Sequence, residues 1–225
     1  MQRFVRIGVV AGALILSTAI GAVAASSSAP PAHADHAVTA GRGSREAFAA
    51  DMRKLWEDHI TWTRLYIVSA ATLPDQLPDI GATAERLFAN QADIGNAIGQ
   101  FYGRQAGDQL TELLNEHIAL AAEAIDKAKA GNDAGLQDAL DRWYANADAI
   151  AAFLSDANPR NWPLAEMRAH MREHLDLTLA EAVARLQGDY AADMAAYDKV
   201  HVQILGMADM LSGGIIAQFP GAFGR

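Results

Sequence analysis

The sequence predicts an all-α protein, a six-helix bundle built from three repeated antiparallel helical hairpins. Three observations carry that expectation. Apolar residues recur at i, i+3 and i+4 through six stretches separated by Pro- or Gly-containing breaks. Hydrophobic residues make up 51% of the chain but aromatics only 7%, an alanine-rich composition that suits closely packed helices better than sheets. An acid, a histidine and a branched aliphatic residue return in register as Asp58-His59-Ile60, Glu116-His117-Ile118 and Glu173-His174-Leu175. The histidines fall 58 and 57 residues apart, a period that fits two helices per unit.

Residues 1–25 read as a signal peptide or N-terminal membrane anchor. Arg3 and Arg6 precede an uncharged run, with small residues at Ala22-Val23-Ala24 and again at Ala32-His33-Ala34 in the pattern of a signal-peptidase site. The run at 7–25 also approaches the length that spans a bilayer, so membrane attachment through residues 7–25 is the alternative to cleavage. Both place the body outside the cytoplasm, secreted or membrane-anchored. Residues 26–44, rich in Ser, Pro, Ala and Gly, read as a flexible linker in which His33 and His36 are solvated. Residues 45–219 form the expected bundle.

Its first helix starts after Ser44, a candidate N-cap, and runs to about Thr72, where the Pro74–Pro78 stretch ends it. The second spans about Ala82 to Tyr102 and stops at Gly103 and Gly107. Asp108 is the expected cap of a third, which runs to Ala130 before Gly131-Asn132-Asp133. The fourth continues to about Ala157, ended by Asn158-Pro159. The fifth begins at Asn161-Trp162-Pro163, a cap followed by an early-turn proline, and ends near Gly188. The sixth runs from Asp189 to Gly213-Gly214.

A histidine sits in the middle of the apolar stripe of each odd helix. The even helices carry a matching Ala-Asp at Asp93, Asp148 and Asp209. In an antiparallel hairpin, residues equidistant from the turn share a height. The midpoint of His59 and Asp93 is residue 76, inside the first loop; that of His117 and Asp148 falls at 132.5, inside the second turn. The third pair is centred at 191.5, a few residues past its turn. The expectation is one polar belt in which His59, His117 and His174 bind a transition metal (zinc, iron or manganese) with Asp93, Asp148 and Asp209 as supporting or additional ligands. His170, four residues before His174, makes a His-x-x-x-His pair that can grip the same ion. The acids adjacent to the histidines point about 100° away and are expected in salt bridges at helix edges or in contact with neighbouring helices.

Other chemistries are disfavoured by the text itself. There is no cysteine, hence no disulfide or thiolate site. A formal charge of −9 without a basic stripe argues against nucleic acid. No nucleophile elbow, P-loop or His-Glu-x-x-His occurs, and Trp56, Leu114 and Met171 stand where a di-iron bundle needs Glu three residues before each histidine.

The phrases Trp56-Glu-Asp-His59-Ile-Thr-Trp62-Thr-Arg64, Trp143-Tyr-Ala-Asn146-Ala-Asp148 and Ala208-Asp209-Met-Leu resemble a bacterial family of small helical proteins without an established activity. The resemblance covers about residues 50–220 and implies a helical fold. The leading functional expectation is therefore an extracytoplasmic helical bundle that binds a transition metal. The alternative is a non-catalytic interaction or small-ligand module, without cofactor, in which the His–Asp pairs are structural. A metal-dependent enzyme would further need an open coordination position. No protein partner is indicated.

Overall fold

The computed structural model describes residues 44–223. The expected signal or anchor and most of the linker, with His33 and His36, lie outside the described residues. Those described form six α-helices and no strand: α1 (Arg45–Ala71), α2 (Ile80–Tyr102), α3 (Arg104–Lys129), α4 (Asp133–Ala157), α5 (Leu164–Leu186) and α6 (Tyr190–Gln218), followed by a 3-10 turn at Pro220–Ala222. Each helix packs on the next, and α6 returns to pack on α1, so the six close into a bundle. Helix α1 additionally touches α3 and α5. The core is supplied by one stripe per helix, including Met52, Trp56 and Ile60, then Ile94 and Ile98, Leu110 and Leu114, Trp143 and Ile150, Met167 and Leu175, and Ile204 and Met207. Helix α6 is long and apolar enough by composition to cross a bilayer, but half of its most apolar window is buried inside the bundle.

Local signals set most boundaries. Ser44 caps α1 by accepting from Ala47 N, Asn132 caps α4 by accepting from Gly135 N, and Asp189 caps α6 by accepting from Ala192 N. Three expectations are corrected. Helix α3 starts at Arg104, not at Asp108, because Gly103 at φ 90° makes the whole break by itself. Asp108 pairs with Arg104 within the helix instead. The fifth helix has Pro163 at its cap position with no side-chain cap bond, while Asn161 donates to Asn158 Oδ1. Helix α6 continues through Gly213-Gly214 to Gln218, since Gly214 makes room for the Trp162 indole: a Cβ there would lie 2.1 Å from Trp162 Nε1.

Gly107 was expected to break the chain and instead brings α2 and α3 together. A Cβ on Gly95 would meet Thr111 Oγ1 at 2.0 Å and the Gly107 carbonyl at 2.6 Å. The hydroxyl can rotate away; the carbonyl is backbone and cannot. Gly95→Ala is therefore expected to destabilise by about 1–3 kcal/mol despite alanine's higher helix propensity. Gly206→Ala, with nothing within 4 Å, should gain about 0.5–1 kcal/mol. Urea denaturation of the two variants beside the parent checks both signs.

Candidate functional site

The odd helices deliver their histidines to one place. His59, His117 and His174 are each 3% exposed. The His59 and His174 ring centroids lie 5.7 Å apart, and those of His117 and His174 lie 6.3 Å apart, so His174 neighbours both other rings. Trp56 packs edge-on against His59 at 5.8 Å, and Trp143 lies against His117 at 5.3 Å. Burial strips the imidazoles of water and keeps them neutral. It lowers His117 to about 3, with His174 adding repulsion and Asn146 opposing. It lowers His174 to about 4 against a modest opposing influence of Gln203. His59 falls well below its ordinary value through burial first, then through the neighbouring His174 and His117.

Amides of the even helices meet these rings. Asn146 donates through Nδ2 to Leu113 O at 3.1 Å and to Glu116 at 3.0 Å. Its Oδ1 is thereby an acceptor and takes the Nδ1–H of His117 at 3.1 Å, leaving His117 Nε2 with a bare lone pair. Gln203 donates to His170 O at 3.0 Å and flanks His174. Neither Gln203 Oε1 nor His174 Nδ1 has a hydrogen bond of good geometry among the described residues. On α2 the work is divided: Asn90 donates to Leu55 O at 3.0 Å, and Gln91 Nε2 stands 3.2 Å from His59 Nδ1 while donating to Leu87 O. In each case an amide grips the carbonyl four residues before the histidine, at Leu55, Leu113 and His170.

Two of the three aspartates pair with arginines instead. Asp148 pairs with Arg172 at 2.6 Å, and Asp209, 45% exposed at its side chain, pairs with Arg53. Asp93 is half-buried on α2. The reason is angular: Asp93 and Asp148 each follow a ring-facing amide by two residues, and two residues turn a helix by about 200°, to its opposite side. Asp209 follows Gln203 by six residues and is rotated away in the same manner. His170 is also corrected. It lines the outer groove between α5 and α6 with Glu173, Asp198, Lys199 and Gln203. Of the adjacent acids, Asp58 pairs with Lys54, Glu116 accepts from Asn146 of the neighbouring helix, and Glu173 lines the outer groove. His201 bonds Glu57 at 2.9 Å and stacks on Tyr197.

The sequence contained a usable signal for the missed residues. Asn90, Gln91, Asn146 and Gln203 are polar interruptions in otherwise apolar stripes, at a position where a packing helix would carry a hydrocarbon. The repeated Ala-Asp beside them drew attention to the wrong face.

A second buried polar cluster joins α1, α5 and α6. Arg64 reaches Glu181 at 2.7 Å and Asp193 at 2.8 Å, lies over the Tyr197 ring at 4.7 Å, and shares Asp193 with Arg185 at 3.4 Å. Burial pushes Glu181 up to about 7, only partly offset by Arg64.

Around the three histidines several buried polar atoms have no partner among the described residues, Gln91 Oε1, Trp56 Nε1, Trp143 Nε1 and Thr178 Oγ1, while His174 and Gln203 face each other. The described residues hold no preformed group of three or more His, Asp or Glu side chains at metal-holding spacing. No family model matches the chain, no curated protein matches it, and no solved structure matches it.

Proposed function

We propose that this chain is an extracytoplasmic protein of three repeated helical hairpins that binds one transition-metal ion between His59, His117 and His174. The observation that carries the reading is a cluster of three neutral, buried imidazoles surrounded by polar atoms left without partners. Buried polar groups that serve only packing are normally hydrogen-bonded, and an unpartnered one costs about 1–3 kcal/mol. Neutral imidazole is the protonation state that ligates zinc, iron or manganese, and an amide on the second ring nitrogen is the usual means of orienting such a ligand. The threefold recurrence of amide, carbonyl and histidine supports descent from one hairpin. The basic, apolar, small-residue order of the first 25 residues supports export.

Metal–nitrogen bonds of about 2 Å bring imidazole centroids to about 5 Å. The rings at 5.7 and 6.3 Å need to close by about 1 Å. Gln91 also has to turn over, which gives its unpartnered Oε1 the His59 Nδ1–H and frees His59 Nε2 for the metal. Gln203, which flanks His174 and lines the α5/α6 groove, is the side chain between the histidines and solvent.

Metal-stripped protein titrated with zinc, iron(II) or manganese is expected to take up about one ion per chain. At a hundredfold excess over Kd the gain is about 2.7 kcal/mol in unfolding free energy. His174→Gln and His117→Gln should abolish uptake, whereas His170→Gln and Asp209→Asn, which lie outside the centre, should retain it. Absence of stoichiometric uptake and of thermal stabilisation with all three metals would sink the reading in favour of hydrogen-bonded structural pairs.

A further inference from the structure

Helix α6 packs on α1 and α5, which also touch each other beneath it, so its outer face is a ridge that no other helix covers among the described residues. That ridge is apolar. Half of the most apolar window of α6 lies outside the core. Val202, at the middle of the ridge, is 74% exposed, more than any other large hydrophobic side chain among the described residues. Exposed residues run along it at helical steps of four and three: Ala195, Lys199, Val202, Gly206, Asp209 and Gly213.

The order of these residues is self-complementary. When a helix lies antiparallel on a copy of itself, residues equidistant from the twofold axis oppose each other. An axis opposite the fully buried Ile204 lays Val202 on Gly206, Lys199 on Asp209 and Ala195 on Gly213. Large meets small, cation meets anion, and small meets small. Asp198, on the flank, then faces Met210, so no like charges oppose. Moving the axis one turn toward the N-terminus would lay Lys199 on Val202 and Asp209 on Ala192, with no charge matched.

Three further observations fit an occupant of this kind. Lys199 enters no ion pair among the described residues. Asp209 pairs with Arg53 but keeps 45% of its side chain exposed, which leaves room for a second cation. A Cβ on Gly206 or Gly213 would meet nothing within 4 Å, so the packing of one chain requires neither glycine, although each weakens its helix. Glycine and alanine at these positions let a second helix axis approach to about 8 Å.

We propose that the outer face of α6 is the interface of an antiparallel homodimer, with its twofold axis at residue 204. Val202 is the apolar anchor, and the Lys199–Asp209 pairs fix the register more than they add affinity. The two charges at the middle of the ridge suit a complementary protein face and are costly against acyl chains. The interface is independent of a metal at the histidines.

Sedimentation of the purified chain between about 5 and 500 μM tests the association, the range suited to a small interface. The mass should approach twice that of the monomer, and Val202→Glu should weaken association about tenfold or more while keeping the helix content. The chain contains no cysteine, so introduced thiols report the register. Ala195→Cys and Gly213→Cys chains, oxidised as an equimolar mixture, should form a disulfide between the two variants. Oxidised separately they should not, because in the dimer two like cysteines lie about 27 Å apart. A chain that stays monomeric throughout, association that Val202→Glu leaves unchanged, or disulfides that form as readily within each variant as between them would overturn the proposal. Attachment of a monomeric chain to phosphatidylcholine vesicles, lost in Val202→Glu, would also overturn it and give the face to lipid.

Discussion

Metal-free protein is expected to lose at least about 2 kcal/mol of unfolding free energy between pH 7 and pH 4.5, with a net uptake of protons on unfolding across that range. The sign follows from two opposed sets of groups. Each histidine is held below its unfolded value near 6.5, His117 at about 3, His174 at about 4 and His59 well below. Their contribution is present above pH 6.5 and lost as the pH falls toward the folded values, because only the unfolded chain takes up those protons. At about 1.4 kcal/mol per pH unit per group, His117 and His174 account for about 5 kcal/mol by pH 4.5, and His59 adds in the same direction.

Glu181 acts in the other direction. Its folded value of about 7 lies above the ordinary 4.5, so its contribution is fully present below 4.5 and is lost as the pH rises through 7. Acidification over the same range therefore returns about 3 kcal/mol, leaving the net loss stated. Against a total stability of about 5–15 kcal/mol this is a measurable fraction. Urea midpoints of chelator-treated protein at pH 7, 6 and 5 check it; a midpoint that stays constant, or rises toward pH 5, contradicts the burial of three neutral imidazoles.

Arg64→Met is expected to cost about 3–5 kcal/mol at pH 8, the range for removing one partner of a buried ion pair. The substitution leaves Glu181, 1% exposed, without its cation, and leaves Asp193, fully buried, with Arg185 at 3.4 Å. It also removes the cation over Tyr197. Because Arg64 lowers Glu181, its loss pushes that carboxyl further up, so Glu181 in the variant takes a proton at higher pH than in the parent. The difference between variant and parent should consequently shrink at pH 6. Glu181→Leu in the Arg64→Met background should recover a large part of the loss, since one buried charge is then removed together with its partner. Paired denaturation curves at the two pH values measure both effects, and a pH-independent cost would show that Arg64 acts through packing alone.

The two clusters differ in how readable they were. His59, His117 and His174 were legible as a group because each occupies a core position in a stripe of period 3.6, and stripes of that period converge when helices pack. Their partners were not, although their signal was present. The Ala-Asp repeat stands out in the sequence, whereas the amides do not repeat in type: Gln91, Asn146 and Gln203 share a role and no common residue. The Arg64 cluster had no local signature. Arg64, Glu181 and Asp193 are separated by 117 and 129 residues from one end of the pairings to the other, and isolated charges on helices look alike whether they face water or a neighbour.

Local chemistry determined six helices and most of their ends, through the cap at Ser44, the turns after Ala71 and Lys129, and the apolar period between them. It also put three histidines in the core. It failed at Gly107 and Gly213-Gly214, where glycine serves close approach and not a break, a distinction that exists only once a second helix is present. The tertiary structure alone decided that amides face the imidazoles, that His174 neighbours both other rings, and that Arg64 meets Glu181 and Asp193. The physical reason is common to all three. Sequence spacing gives the angle of a side chain around its own helix, whereas its partner is set by how that helix is rotated against the next, and a two-residue difference turns one face into the other.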